Sequence, residues 1–231
     1  MTPSWQQRHE RGDDMIEVLG RRNSANVQKV MWALGELGLE YRRQDVGGSF
    51  GYPDDYPSPN QVVPALRDGD LAVWESNACV RYLCRTYGDG SLWPADPATL
   101  AAADVWMEWQ RSDISFSFFP MFQALIRGLP ATPEKIEAWA EASGRIFGQL
   151  NRQLADNTFV AGEQLTFADI AIGVMMFRYF TLPIDRPPLP HVERWYHALT
   201  KRDAYQYHVM IEYGSNPQQW AEIEEATAGV Q

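Results

Sequence analysis

The sequence predicts an α/β domain followed by an all-α domain, and three observations support this prediction. Strand and helix patterns alternate between residues 15 and 90, a hairpin signal lies within that segment, and only helical patterns follow residue 98. The length of 231 residues, at about 150 residues per domain, fits one large domain or two unequal ones. The predicted domains are therefore 15–90 and 99–231, joined by a linker at 91–98.

Composition and charge exclude several classes of protein. Hydrophobic residues form 45% of the chain and aromatic residues 13%, which excludes a wholly disordered chain. A net charge of −10 would repel a phosphate backbone, so no nucleic acid partner is expected. The apolar runs fall short of the roughly 18 residues that span a bilayer, so no membrane partner is expected. Two cysteines cannot form a disulfide framework and suit a reducing compartment, which predicts a cytoplasmic protein.

The first 14 residues are polar and lack the apolar segment of a secretory signal. We interpret residues 1–14 as a disordered leader and leave open whether translation starts at Met1 or Met15. The folding signals begin at Met15.

The α/β domain opens with a strand–helix–strand pattern. A short strand at 15–19 precedes a helix at 26–37, in which apolar residues recur at the spacing of one helical face. Ser24 and Asn26 are both suitable N-caps for this helix. A strand at 41–46 is predicted to run parallel to the first strand, because a crossover helix separates the two.

The second part of this domain contains a loop, a hairpin and a helix. The loop at 47–60 is rich in Gly, Pro, Tyr and Asp. Residues 65–73 form a strong hairpin signal, since Asp68-Gly69 supplies the positive φ of a tight turn. A helix at 76–87 completes the domain.

Helix start and stop signals predict successive helices in the second domain. Asp96 and Pro97 start a helix that extends to Gly128 and is bent or broken near Pro120. Thr132-Pro133 starts the next helix.

The capping box Thr166–Asp169 precedes an almost wholly apolar stretch at 170–180, which we predict to be the central buried helix. A last helix is predicted at 192–200. The acidic segment Glu222–Glu225 is interpreted as a solvated helix end.

Three short segments contain residues suited to binding a small ligand. The turn 20–27 leads into a helix N-terminus, where unpaired N–H groups and the helix dipole attract anions. Val63-Pro64 precedes a strand, where a cis proline would form a tight turn. Glu75 can pair with an ammonium group, and the N–H of Ser76 can bind a carboxylate at a helix start. Taken singly, an ordinary cap or turn explains each segment as well or better.

Taken together, the three segments resemble the glutathione-binding half of the glutathione S-transferase family. The resemblance extends over residues 14–216 and includes the capping box and Val192–Tyr196 in the helical half. It implies a thioredoxin-like N-terminal domain (β-α-β-α-β-β-α) followed by a C-terminal helical bundle. It also implies a cytosolic, bacterial type of member, either Nu-like or theta/zeta-like. We cannot trace the family's usual second helix in the loop 47–59.

The resemblance assigns catalytic roles to two residues. Ser24 lies where the serine-type classes keep the hydroxyl that donates to the glutathione sulfur. Asn26 lies where Nu-like members keep an asparagine that contacts the thiolate. The resemblance also implies glutathione-binding residues: Val63 and Pro64 for its cysteinyl backbone, Glu75 and Ser76 for its γ-glutamyl end, and Gln61, Arg21 or Arg22 for its glycyl carboxylate.

The acceptor pocket is expected in the helical domain. The family architecture implies an edge formed by Trp109, Ser112, Asp113 and Phe116. No metal is expected, because the four histidines and the pair Cys79 and Cys84 lack the spacing of a metal site.

We therefore predict a cytoplasmic, homodimeric glutathione S-transferase, with glutathione as co-substrate and a small hydrophobic electrophile as acceptor in detoxification. An alternative within enzymes is a glutathione-dependent disulfide reductase or peroxidase, suggested by Asn26. An alternative of another class is a non-catalytic regulatory or binding protein with the same fold. The presence of Pro64, Glu75 and Ser76 favours an enzyme.

Overall fold

A four-stranded mixed sheet forms the centre of the N-terminal half. The computed structural model describes residues 15–231, so the predicted leader at 1–14 lies outside the described residues. The strands are β1 (Ile16–Leu19), β2 (Tyr41–Gln44), β3 (Ala65–Asp68) and β4 (Leu71–Trp74). In spatial order β2-β1-β3-β4, β1 pairs in parallel with β2 and antiparallel with β3, and β3 is antiparallel to β4. The parallel pairing predicted for the first two strands is confirmed.

Helices α1 (Ala25–Glu36) and α2 (Ser76–Tyr87) pack against each other and cover Ile16, Val18 and Leu66 of the sheet. The helical half of the molecule covers the other side of α1, so nine of its twelve residues are buried. The hydrophobic core is therefore continuous through α1.

No second helix lies between β2 and β3 in the described chain. The thioredoxin-like topology of the family has a helix at this point, which could not be traced in the sequence, and the loop here has only a 3₁₀ turn at Gly48–Phe50. The physical reason is local, since Gly47, Gly48 and Gly51 all have positive φ and such backbone cannot continue a helix. The loop packs onto the second face of the sheet, where Tyr52, Tyr56 and Val63 cover Leu19, Val46 and Ala65.

The predicted hairpin is present, but its turn lies one residue later than expected. Asp68 pairs with Leu71, so the two-residue turn is Gly69–Asp70 rather than Asp68–Gly69. Gly69 has φ 56°, the positive value that the turn requires.

The helical half begins with α3 (Pro97–Trp109), capped by Asp96, whose side chain accepts from the N–H of Thr99 at 2.8 Å. A π-helical turn at Gln110–Ile114 joins it to α4 (Ser115–Arg127). The predicted break near Pro120 is wrong, because this proline lies inside α4 and the irregularity is the π-helical turn. Gly128 ends α4 at φ 76°, as predicted.

The helix predicted to start at Thr132-Pro133 is α5 (Pro133–Gln153), and the helix predicted at 192–200 is α8 (Pro190–Leu199). The stretch predicted as one helix at 170–180 is two helices, α6 and α7, separated by a turn at 174–175. The helix α9 (Asp203–His208) was not predicted, and of α10 (Pro217–Ala226) only the end at Glu222–Glu225 was. No helix of the described chain is long and apolar enough to cross a membrane. The helices are α5 (Pro133–Gln153), α6 (Phe167–Gly173), α7 (Met176–Thr181), α8 (Pro190–Leu199), α9 (Asp203–His208) and α10 (Pro217–Ala226).

The predicted capping box at the start of α6 is confirmed. Thr166 accepts from the N–H of Ala168 at 3.3 Å, and Asp169 accepts from the N–H of Thr166 at 2.8 Å. Asp169 is fully buried and also accepts from the N–H of Val160 and from Nε1 of Trp195, both at 2.9 Å. Burial raises the pKa of Asp169 to about 6, while these N–H donors act in the opposite direction. One side chain therefore joins three segments of the helical half.

Candidate active site

The turn between β1 and α1 ends at Ser24, whose hydroxyl makes no hydrogen bond to a described residue. Ser24 is the N-cap of α1, yet its side chain makes no capping hydrogen bond. Only 9% of the residue is exposed, and its hydroxyl bonds to no other described residue. At the positive end of the helix dipole, this hydroxyl is available to donate to an anion.

Asn26, the second residue of α1, is held by the start of α2. Its Oδ1 accepts from the hydroxyl of Ser76 at 3.2 Å. Because the amide oxygen is occupied, the two protons on Nδ2 are the part of the amide left for a ligand. The contact brings together two predicted site residues that are 50 positions apart in the sequence.

The residue before α2 has a strained backbone. Glu75 has φ 69° and ψ 118°, values that a residue with a side chain rarely adopts. It is the N-cap of α2 without a capping side-chain bond, and it lines a cavity of about 440 Å³ together with Asn26 and Ser76. Glu75 therefore lies at the start of α2, where the first N–H groups of the helix have no partner within it.

The segment before β3 presents a free backbone edge. The Val63–Pro64 bond is cis. The N–H and C=O of Val63 make no hydrogen bond to a described residue, while Pro64 is buried. A side chain at Gly20 would meet Val63 at 3.3 Å and Val27 at 2.4 Å, so the glycine allows this segment to pack closely on the β1–α1 turn. Val63 therefore lies beside the turn.

Lys29 is a residue of this site that the sequence reasoning missed. It is 2% exposed, and its ammonium donates to Gln110 at 2.8 Å, to Asn77 at 3.0 Å and to Ser76 at 3.4 Å. Burial lowers the pKa of Lys29 to about 7, opposed by the nearby Glu75. The available signal was a lysine beside Val30 and Met31 on the apolar side of a helix.

Comparisons with known proteins agree with this geometry. Residues 23–86 match the family model "Glutathione S-transferase, N-terminal domain", and residues 109–203 match "Glutathione S-transferase, C-terminal domain". The chain is 37% identical over 205 residues to glutathione S-transferase GstB from Escherichia coli K12, which covers 85% of this chain and 99% of GstB. A solved theta-class glutathione S-transferase from Xanthomonas axonopodis pv. citri with glutathione bound is 39% identical, covers 86% of this chain and 99% of its own, and has a TM-score of 0.81.

The chain belongs to the glutathione S-transferase family. The family resemblance inferred from the sequence is thus confirmed. The predicted enzyme class, a glutathione transferase, and the predicted fold, a small mixed sheet followed by a helical domain, are confirmed as well.

One predicted glutathione-binding residue of this transferase does not join the others. The guanidinium of Arg22 donates to the carbonyl of Tyr207 at 3.0 Å and lies over the Tyr207 ring. It is directed at the helical half rather than at Val63 or Glu75. Gln61 is exposed, with φ 47°, two positions before Val63.

The acceptor edge predicted for this transferase stays a prediction. Gln110, Arg111 and Ser115 line the cavity that contains Asn26 and Ser76, and the four predicted side chains are not among its lining residues. Trp109 instead donates to Gln149 at 3.3 Å, Ser112 is exposed and donates to Asp113 at 2.6 Å, and Phe116 is 79% exposed.

The acidic segment predicted as a solvated helix end is partly buried. Glu224 of α10 is 5% exposed and reaches back to Arg21 at the end of β1. Arg21 is therefore covered by the last helix and faces a carboxylate of the chain itself.

The two cysteines of this transferase are not reactive thiols. Both Cys79 and Cys84 are free and buried, as predicted, and burial raises the pKa of each to about 12. Within residues 15–231, no three His, Cys, Asp or Glu side chains are grouped so as to hold a metal ion.

Proposed function

We propose that this transferase binds glutathione across the β1–α1 turn and stabilises its thiolate with the hydroxyl of Ser24 and the amide of Asn26. The hydrogen bond from Ser76 to Asn26 is the observation that best supports this assignment. It holds the amide oxygen toward Ser76, so the Nδ2 protons are the part of the amide that can face the sulfur. An amide that presented its oxygen would repel a thiolate.

The available donors are sufficient for the chemistry. A free thiol has a pKa near 8.5, so only a few per cent is ionised at neutral pH. Lowering that pKa by about two units requires roughly 2.7 kcal/mol. Hydrogen bonds to a charged group contribute about 1.5–3 kcal/mol each, so Ser24 and Asn26 at the positive end of α1 supply enough. Ser24 acts as a donor and keeps its proton.

The rest of the tripeptide has complementary partners. The free backbone edge of Val63 suits pairing with the cysteinyl residue, as when a strand is added to a sheet. The carboxylate of Glu75 suits the γ-glutamyl ammonium, and the N–H of Ser76 suits its carboxylate. Gln61, exposed near Val63, is the remaining candidate for the glycyl carboxylate.

The bound thiolate attacks a small hydrophobic electrophile placed against the helical half. A carbon–sulfur bond forms, and the leaving group departs with its electron pair. We also propose that the enzyme acts in the cytoplasm as a homodimer. Large apolar side chains remain exposed on β4 and α3, namely Leu71 at 46%, Trp74 at 38% and Val105 at 65%.

The test follows ionisation of bound glutathione by the ultraviolet absorbance of its thiolate as a function of pH. We expect Ser24→Ala and Asn26→Ala each to raise the pKa of the bound thiol by about one unit and to lower turnover of a chloronitrobenzene at neutral pH. Ser91→Ala, at an exposed serine between the two halves, is the matched control. If neither site variant changes the thiol pKa, the assignment is wrong.

Parallel assays separate the alternatives. Reduction of a small disulfide without conjugation would indicate a glutathione-dependent reductase, which would have to use glutathione sulfur alone because Cys79 and Cys84 are buried. Glutathione binding without turnover of either substrate would indicate a regulatory protein.

A further inference from the structure

Lys29 is a buried charge that none of the roles above uses. No carboxylate of a described residue lies within ion-pair distance of its ammonium, and its partners are three neutral side chains. Burial of a charge without an opposite charge is costly. The side chain is nevertheless held at a defined place, where α1, α2 and the π-helical turn meet.

The partners of Lys29 are themselves fixed. Asn77 accepts from Lys29 and donates its own Nδ2 to the carbonyl of Met107 in α3 at 3.3 Å. Gln110 is 2% exposed. The ammonium therefore bridges the two halves of the molecule at the wall of the cavity that contains Asn26.

A chain of two hydrogen bonds connects Lys29 to Asn26. Lys29 donates to the hydroxyl oxygen of Ser76, and that hydroxyl donates to Oδ1 of Asn26. An ammonium has no acceptor, so the proton of Ser76 cannot point toward Lys29 and is directed at Asn26 instead. Successive hydrogen bonds also polarise one another.

We propose that Lys29 is a positioning residue for the thiolate site: it fixes the hydroxyl of Ser76 as a donor to Asn26 and so directs the Asn26 amide protons at the substrate sulfur. This inference rests on the proposed function. It adds a residue that does not touch the substrate but determines which end of the Asn26 amide does.

The charge environment of Lys29 gives its role a pH dependence. Glu75 and Glu108 raise its pKa and Arg111 lowers it, while Arg81, on the same cavity, is itself paired with Asp104 and Glu108. With a lowered pKa of about 7, the ammonium form is complete at acid pH and is lost as the pH rises through neutrality. A thiolate nearby favours the ammonium, so the two ionisations reinforce each other.

The experiment replaces the ammonium by an apolar chain of similar length. We expect Lys29→Met to raise the pKa of enzyme-bound glutathione by about 0.5–1 unit, and to lower kcat for a chloronitrobenzene at pH 6.5 by about threefold to tenfold. The KM for glutathione changes less than kcat. Lys201→Met, at an exposed lysine beyond α8, is the control and should match the parent enzyme.

The connection through Ser76 is tested by a double-mutant cycle. If Lys29 acts through that hydroxyl, Lys29→Met has no further effect on the thiol pKa once Ser76 is changed to Ala. Additive effects would overturn the proposed chain of hydrogen bonds. Lys29→Gln, a neutral donor, serves if Lys29→Met does not fold, and should give a smaller rise in the same direction.

These experiments distinguish failure of the proposed role of Lys29 from failure of the proposed function. A parent enzyme that does not lower the pKa of bound glutathione overturns the proposed function. A parent enzyme that lowers it, together with folded Lys29 variants of unchanged thiol pKa, overturns only the role of Lys29.

Discussion

The carboxylate of Glu224, in the last helix, lies 2.9 Å from the guanidinium of Arg21, at the end of the first strand. The two atoms, Nε of Arg21 and Oε2 of Glu224, form an ion pair, but their geometry does not meet that of a hydrogen bond. Glu224 also accepts from the N–H and the hydroxyl of Ser49, both at 2.9 Å. It thus attaches α10 both to the β1–α1 turn and to the loop after β2.

The charge of Glu224 should stabilise the protein. Arg21 contributes to the lowered pKa of Arg127 and Glu224 opposes that lowering, so removal of Glu224 leaves Arg21 and Arg127 without this counter-charge. We expect Glu224→Ala to lower the free energy of unfolding by about 3 kcal/mol. Glu225→Ala, at the exposed neighbour, should change it by less than about 0.5 kcal/mol. Urea unfolding measures both, and equal values would contradict the role of the ion pair.

His208 should make stability depend on pH. It is 6% exposed, and burial followed by the charge of Arg22 lowers its pKa to about 4, with the hydroxyl of Tyr41 at 3.5 Å. A lowered pKa means that the unfolded chain takes up a proton first, so stability is lost as the pH falls from about 6.5 toward 4. We expect a loss of up to about 2 kcal/mol from this group.

The variant His208→Gln isolates that contribution. Its unfolding free energy should differ less between pH 7.5 and pH 5 than that of the parent protein. His197→Gln, at an exposed histidine, should leave the pH dependence unchanged. An identical pH dependence in all three proteins would rule out His208 as its source.

The buried carboxylate of Asp169 should be essential for the helical half. Asp169→Ala leaves the N–H groups of Thr166, Val160 and Trp195 without their acceptor, at about 1–3 kcal/mol for each buried donor. We expect a loss of at least 3 kcal/mol in unfolding free energy, and a smaller loss for Asp169→Asn, which keeps one acceptor oxygen. Asp156→Ala, at an exposed aspartate, is the control. A loss no larger than that of the control would show that these donors find other partners.

Two substitutions at Glu75 should differ in their effect on stability but not in their effect on glutathione binding. Glycine adopts positive φ at little cost, so Glu75→Gly should be about 1 kcal/mol more stable than Glu75→Ala. Both variants lack the carboxylate and should bind glutathione equally weakly. Thermal unfolding and calorimetric titration measure the two effects. Equal stability of the two variants would argue against strain at this position.

Local patterns account for the elements that the sequence predicted well. The capping box at Thr166, the positive φ at Gly69 and the stop at Gly128 depend on residues within a few positions of one another. The family resemblance gave Asn26 and Ser76 separate roles, and the hydrogen bond between them was not predicted.

The errors arose where distant residues decide the structure. The burial of Glu224 depends on Arg21, about 200 positions earlier, so its own segment resembles a solvated helix end. The π-helical turn at Gln110–Ile114 contains neither Pro nor Gly, so no local signal predicted it. Lys29 was missed because its three partners come from other elements.

The continuity of the core through α1 determines how the molecule should denature. The indole of Trp32 meets the Tyr205 ring edge-on, with ring centroids 4.8 Å apart, and the same helix covers the sheet. Neither half can lose α1 without exposing the apolar surface of the other. Calorimetry should therefore record one cooperative transition for both halves, and the glutathione site, built on α1, should survive until the whole molecule melts.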